Sequence, residues 1–201
     1  MTRPFLDSAS GVGMTEKKNM ITVAILTLSD KGSKGERKDT SGPAIERMMK
    51  KIDAKVVSYD ILPDEKELIK KKLLSLCNKV ELILTTGGTG LSPRDVTPDA
   101  TREVIKREIP GITEAMRYRG LKKTPFAMLS RAVAGVRGKT LIINLPGSPA
   151  AVKENLSVIL SCLPHAIEKI QGSQKECARH LKAEGRRQKA EGRKMKMEHI
   201  T

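Results

Sequence analysis

Val80-Glu81-Leu82-Ile83-Leu84-Thr85-Thr86-Gly87-Gly88-Thr89-Gly90 is a short apolar run that ends directly in a glycine loop. A run of this length with β-rich residues and a glycine boundary reads as a strand buried in a parallel sheet. Its surroundings repeat the theme. Upstream lie apolar runs at 20–28 and 55–61, with helical stretches at 42–51 and 64–77. Downstream come helical stretches around 98–108 and 112–119, the run 140–145, and a helix from 148 to about 170. Strands alternating with helices predict an α/β domain, a three-layer α/β/α sandwich with a mostly parallel sheet.

The 201 residues fit one domain with extensions. Residues 1–19 are small, polar and aperiodic and read as a flexible leader; 20–172 carry the apolar periodicity; 173–201 read as a basic, disordered tail. That tail holds nine Lys/Arg against four Glu, and its repeated Lys-Ala-Glu-Gly-Arg has no apolar seam to pair through. The formal net charge is +15, so the body is basic as well and favours anionic ligands. With no Trp, two Tyr and two Phe, the core must be aliphatic, and the scarcity of stacking platforms argues against single-stranded nucleic acid as the partner. A charge run of this kind is usually solvated, so the tail by itself does not make a nucleic-acid binder.

Three cysteines without a Cys-x-x-Cys pair exclude a zinc knuckle and a disulfide framework, which points to a reducing compartment. Cys77 and Cys162 are expected on apolar helix faces. No apolar stretch approaches the roughly 18 residues of a spanning helix, so a cytoplasmic protein with no membrane contact is expected. The three His are dispersed and form no metal or nucleophilic constellation.

Chemistry concentrates at the ends of the apolar runs. Ligands in open α/β sheets sit beyond the carboxyl ends of the strands, where glycines let backbone N–H groups close on phosphate. The loop Thr86-Gly87-Gly88-Thr89-Gly90 is therefore the expected site floor, although a plain tight turn would look alike. A dinucleotide fingerprint is excluded because Pro93 stands where a third glycine is needed. A P-loop ending at Gly138-Lys139-Thr140 is excluded by Val133 and by the strand that follows.

Asp30, Asp64 and Asp95 each follow an apolar segment or the glycine loop and would converge on one sheet edge. Two such carboxylates with phosphate oxygens suit magnesium; singly, each also suits a turn or cap. Arg94 reads as a phosphate clamp or a partner of its neighbour Asp95. A second loop, Asn144-Leu145-Pro146-Gly147-Ser148-Pro149, again joins a strand to a helix start with free N–H groups. Ser148-Pro149, Thr97-Pro98-Asp99 and, more loosely, Pro63-Asp64-Glu65 read as helix starts, with hydroxyl caps at Ser148 and Thr97 and a capping role for Asp99.

Thr85-Thr86-Gly87-Gly88-Thr89-Gly90, then Pro93-Arg94-Asp95-Val96-Thr97-Pro98-Asp99-Ala100-Thr101, then Asn144-Leu145-Pro146-Gly147-Ser148-Pro149, in this order, resemble the MogA/MoaB family of molybdenum cofactor biosynthesis. Similarity extends over roughly 20–172 and includes Ser29-Asp30, the stretch from Asp39 to Pro43 and Leu62-Pro63-Asp64-Glu65. The resemblance implies a molybdopterin-binding trimer. In its adenylyltransferase branch, AMP passes from Mg-ATP to the terminal phosphate of molybdopterin and pyrophosphate leaves. It further implies Asp64 and Asp95 as essential acids and magnesium sites. Ser29, Asp30, Thr86, Gly87, Gly88, Thr89, Gly90, Ser130, Pro146, Gly147 and Ser148 become substrate or ATP contacts, and transient contact with other molybdenum cofactor enzymes is expected. Two alternatives remain within reach of the same residues: a MoaB-type molybdopterin binder without the main transferase role, and a non-catalytic interaction module.

Overall fold

The computed structural model describes residues 20–174. The strands are β1 (Ile21–Leu28), β2 (Ala54–Leu62), β3 (Leu82–Thr86), β4 (Arg107–Glu108), β5 (Ala134–Arg137) and β6 (Thr140–Leu145). They form one sheet in the order β2-β1-β3-β6-β5-β4. The pairs β1–β2, β1–β3 and β3–β6 are parallel; β5 runs antiparallel to both β6 and β4. A mostly parallel sheet is thus present, closed at one side by an antiparallel edge.

The helices are α1 (Asp30–Ser33), α2 (Ser41–Met49), α3 (Lys66–Leu76), α4 (Thr97–Val104), α5 (Pro110–Leu121), α6 (Pro149–Ile159) and α7 (Leu163–Ile170). Because strand side chains alternate between faces, the continuous apolar strands supply two cores at once. Val23, Ile25, Leu82, Leu84, Leu141 and Ile143 pack under α2, α5, α6 and α7. Ala24, Leu26, Ile83 and Ile142 pack under α3 and α4. The two helical layers enclose the sheet as the sequence predicts. Every one of these ten side chains is fully buried, and each Leu or Ile among them contributes about 1.5–3 kcal/mol relative to exposure.

Three expectations need correction, and one strand was not expected. The stretch 98–108 is not one helix: α4 stops at Val104 and residues 107–108 form the edge strand β4. The stretch 148–170 is two helices joined by a 3₁₀ turn at Leu160–Cys162, with Pro164 in the first turn of α7. Cys162 lies in that turn and is exposed, whereas Cys77 is buried as expected. Strand β5 adds a hairpin to β6 through Gly138 at φ +55°, which the sequence did not reveal as a strand. The expected leader, most of the expected tail and Cys177 lie outside the described residues.

Candidate active site

The carboxyl ends of β1, β2, β3 and β6 lie together, because the register pairs Leu28 with Leu62, Thr27 with Thr86 and Thr86 with Leu145. Each loop that carries a motif therefore leaves from the same rim. Gly87 accepts its place only without a side chain: at φ +101°, a Cβ would collide with Leu28 O. The Gly87 N–H bonds Leu145 O at 3.3 Å, and Thr86 Oγ1 donates to Pro146 O at 2.7 Å. The loops after β3 and β6 are thereby stitched together. Ser41 Oγ adds a bond to Gly147 O at 2.6 Å, tying the start of α2 to the same point.

A cleft of about 330 Å³ opens at this rim. Ser29, Asp64, Thr86, Gly87, Gly88, Asp95, Gly147 and Ser148 line it, together with Arg37, Lys38 and Asp39. Thr89, Gly90, Ser130 and Pro146 face a second cavity of about 290 Å³ on the other side of the joined loops. The predicted residues thus divide between two hollows. Asp30 lines neither, and is bonded instead to Asp64.

Asp30 and Asp64 exchange bonds: Asp30 N–H donates to Asp64 Oδ2 at 3.1 Å and Asp64 N–H donates to Asp30 Oδ1 at 3.0 Å. Arg94 grips Asp30 through Nε at 3.0 Å and Nη2 at 2.6 Å, so it pairs with Asp30 and not with its neighbour Asp95. Hydrogen bonding to Arg94, reinforced by the Asp64 N–H, holds the Asp30 carboxyl below its ordinary range. Asp64 moves the opposite way: burial raises it, the Asp30 N–H lowers it, and the Asp30 charge raises it again. Its Oδ1 is buried and has no hydrogen-bond partner, as is Thr97 Oγ1. Both atoms face Gly88, where at φ +60° an added Cβ would overlap Thr97 Oγ1 and stand 2.9 Å from Asp64 Oδ1.

Several caps differ from expectation. Thr97 does not cap α4; its hydroxyl is one of the two orphans. Asp64 does not cap α3, which starts after Glu65 without a side-chain bond. Ser148 does cap α6, accepting the Ala151 N–H at 3.2 Å, so its hydroxyl is engaged while it lines the cleft. Ser29 Oγ likewise accepts from Gly32 N at 3.1 Å. Asn144 is fully buried; it accepts from Val133 N and donates to Thr85 and Thr101 hydroxyls, so it braces strands.

Two contributors were given no role from the sequence, although Asp39 opens the stretch of family similarity that runs to Pro43. Asp39 accepts from Thr27 Oγ1 at 2.5 Å, from the Tyr59 hydroxyl, and from the Ser41 and Gly42 N–H groups at the start of α2. Burial pushes its carboxyl up, but these four donors outweigh it and the net shift is downward. Burial and the Asp39 bond push the Tyr59 phenol up to about 12. The other is Arg131, whose side chain reaches Gly90, Asp95 and Asp99. Asp99 is accordingly its ion-pair partner as well as an acid in the first turn of α4. A lone arginine amid Ser130-Arg131-Ala132-Val133 was the only available signal.

Among the described residues no group of three or more His, Cys, Asp or Glu is disposed to hold a metal, and no helix is long and apolar enough to cross a membrane. Glycine loops, two acids and helix starts gathered at the carboxyl rim of a parallel sheet define an α/β domain built to bind phosphorylated ligands. The chain belongs to the family described as the probable molybdopterin binding domain, whose model matches residues 24–165. It is 41% identical over 157 residues to the molybdopterin adenylyltransferase of Helicobacter pylori strain J99, covering 76% of this chain and 89% of that protein. It is 43% identical to Dictyostelium discoideum gephyrin, covering 80% of this chain and 24% of that protein. The crystal structure of the Thermus thermophilus molybdopterin biosynthesis enzyme MoaB superposes with a TM-score of 0.73 at 52% identity, covering 77% of this chain and 98% of that one. The family resemblance drawn from the three motifs therefore holds.

Proposed function

We propose that this protein is a molybdopterin adenylyltransferase that joins AMP from ATP to the terminal phosphate of molybdopterin and releases pyrophosphate. One observation carries the reading: Asp64 and Asp95 line the same cleft as Gly87, Gly88 and the start of α6. A phosphate oxygen of the pterin forms the new bond to the α-phosphorus as the bond to the β-phosphate oxygen breaks. The attacking phosphate is already anionic, so no side-chain nucleophile is required. The chain's task is to bring two polyanions together. Arg37 and Lys38 on the cleft wall offset their charge, and Ser148 and Pro149 bring the start of α6 to the same space.

Magnesium fits the residues present. Asp64 Oδ1 is buried without a partner, a costly state that a cation would relieve, and magnesium commonly takes one or two carboxylates plus phosphate oxygens. Asp64 and Asp95 would hold it, and it would supply charge neutralisation on the triphosphate.

Assembly as a homotrimer follows from the same reading and is supported by exposed apolar side chains on adjoining elements. Tyr118 and Leu121 of α5 and Phe126, Met128 and Leu129 of the 3₁₀ turn Pro125–Leu129 all face solvent, Phe126 at 75% exposure. Unpaired Cys77 and Cys162 accord with a reducing cytoplasm. The adenylylated product passes to enzymes that complete the cofactor, and this makes transient contact with them part of the proposal.

The deciding experiment mixes purified protein, molybdopterin and Mg-ATP and measures adenylylated pterin and pyrophosphate. Equal amounts of both establish the reaction. The rival reading is a MoaB-type molybdopterin binder without this activity. Tight molybdopterin binding with no pyrophosphate would establish that rival instead.

A further inference from the structure

We infer that Arg131 is a positioning residue for Asp95: its guanidinium clamps both ends of the loop from Gly90 to Asp95 and so sets where the Asp95 carboxylate stands. The inference rests on the reading of Asp95 as a catalytic acid.

The loop is short and folded on itself. Asp95 N–H bonds Ser92 O at 2.8 Å, and Ser92 N–H returns a bond to Asp95 Oδ2 at 2.8 Å. These bonds fix the carboxylate relative to its own loop but not relative to the sheet. Arg131 supplies that second reference. Nε donates to Gly90 O at 2.8 Å, where the loop begins, and Nη2 donates to Asp95 O, where it ends. Asp99, in the first turn of α4, orients the guanidinium by accepting from Nη1 at 3.3 Å and Nη2 at 3.1 Å. The Arg131 backbone N–H also bonds Thr89 O at 3.0 Å, so main chain and side chain grip the same segment.

Four of the five guanidinium N–H groups are engaged by these contacts. The side chain is therefore occupied as a brace, with little left for a substrate. Its planar fork matters: an ammonium on a flexible stem can satisfy Asp99 but cannot reach two carbonyls in fixed directions. Misplacing a reacting group by about 1 Å can cost about 10²-fold in rate, so loosening the brace should appear in turnover before it appears in stability.

The test compares Arg131→Lys, Arg131→Gln, Asp95→Asn and the double variant Arg131→Gln/Asp95→Asn in the full chain. Arg131→Lys should fold, melt near wild type, and lose about 10-fold or more in kcat with KM for ATP little changed. Amide exchange in the peptide spanning 89–96 should quicken, a readout that does not depend on the reaction. If Arg131 works through Asp95, Arg131→Gln should lower kcat strongly in the wild-type background and hardly at all on Asp95→Asn. Equal losses in both backgrounds, or Arg131→Lys with wild-type kcat and unchanged exchange at 89–96, would overturn the inference. Should Arg131→Gln not fold, the lysine variant alone decides. A fully active Asp95→Asn would instead overturn the role given to Asp95, leaving the exchange result to judge the clamp.

Discussion

Asp30 and Asp64 hold each other through reciprocal bonds from backbone N–H to carboxylate, at 3.1 and 3.0 Å. The two carboxylate charges repel, and the fold resolves the conflict unevenly. Asp30 takes the Arg94 guanidinium and stays readily ionised, while Asp64 keeps one oxygen buried and unsatisfied. The less comfortable carboxylate is the one that faces the cleft.

Asp64→Asn and Asp95→Asn should each lower the rate of pyrophosphate release on the order of 10²–10³, the scale for losing an electrostatic contact in a transition state. Both changes are nearly isosteric, so circular dichroism should show an unchanged fold. Near wild-type release by both variants would remove these acids from the mechanism.

Gly88→Ala should weaken nucleotide binding even when affinity is measured on the folded fraction. Its Cβ would overlap Thr97 Oγ1, sit 2.9 Å from Asp64 Oδ1 and demand a φ of +60° from a non-glycine residue. Gly111→Ala, in α5 with nothing within 4 Å, is the control and should be neutral or stabilising. If Gly88→Ala melts lower yet binds normally, the glycine serves only the turn.

Thr97→Val should leave the ligand-free protein as stable as wild type or slightly more so, because the hydroxyl it removes has no partner to lose. Thermal melts decide. A loss of more than about 1 kcal/mol would mean that this hydroxyl is bonded in solution.

Stability should depend on pH through Asp39. Its folded pKa lies below the ordinary 3.8, so its contribution is fully present above about pH 3.8 and is lost as pH falls through the folded value. At pH 7, Asp39→Asn should cost about 1.5–3 kcal/mol, the range for hydrogen bonds to a charged group. The gap between variant and wild-type melting temperatures should narrow as pH falls below about 3.8 and through the lowered folded value. A gap that is constant with pH would assign the effect to shape alone.

A chain ending at Gly172 should turn over molybdopterin at close to the full-length rate, since the motif residues precede that point and charge acting through solvent is screened beyond about 8 Å at physiological salt. The full-length protein should bind heparin more tightly in low salt than the shortened one. Abolished transfer by a folded, shortened protein would put part of the site in 173–201.

The parallel strands were legible because burial on both faces leaves an unbroken apolar record, as in Leu82-Ile83-Leu84. The glycine loop and the acids at strand ends were legible for a related reason: parallel topology fixes which ends meet. Strand β5 was not, because Ala134-Gly135-Val136-Arg137 is short and interrupted by glycine, and its place depends on pairing with β6. The break at Leu160–Cys162 and the edge strand at Arg107–Glu108 were likewise decided by tertiary packing. Arg131 was invisible in its role because its partners lie 32 to 41 positions away, and no local period encodes such a contact. Thr97 was misassigned because Thr-Pro-Asp suits a cap at Thr97, one residue later than Val96, where the helix is capped.

The hairpin joining β5 to β6 has one more consequence. Gln171 Nε2, just past α7, bonds Lys139 O in that turn at 3.1 Å, and Ile21 opens β1 at the same amino end of the parallel strands. The polypeptide therefore enters and leaves this fold at the rim opposite the acids. A neighbouring protein could be tethered at either port without shading the cleft, and a successor enzyme strung onto the same chain could take up the activated pterin while its maker stayed open to fresh nucleotide.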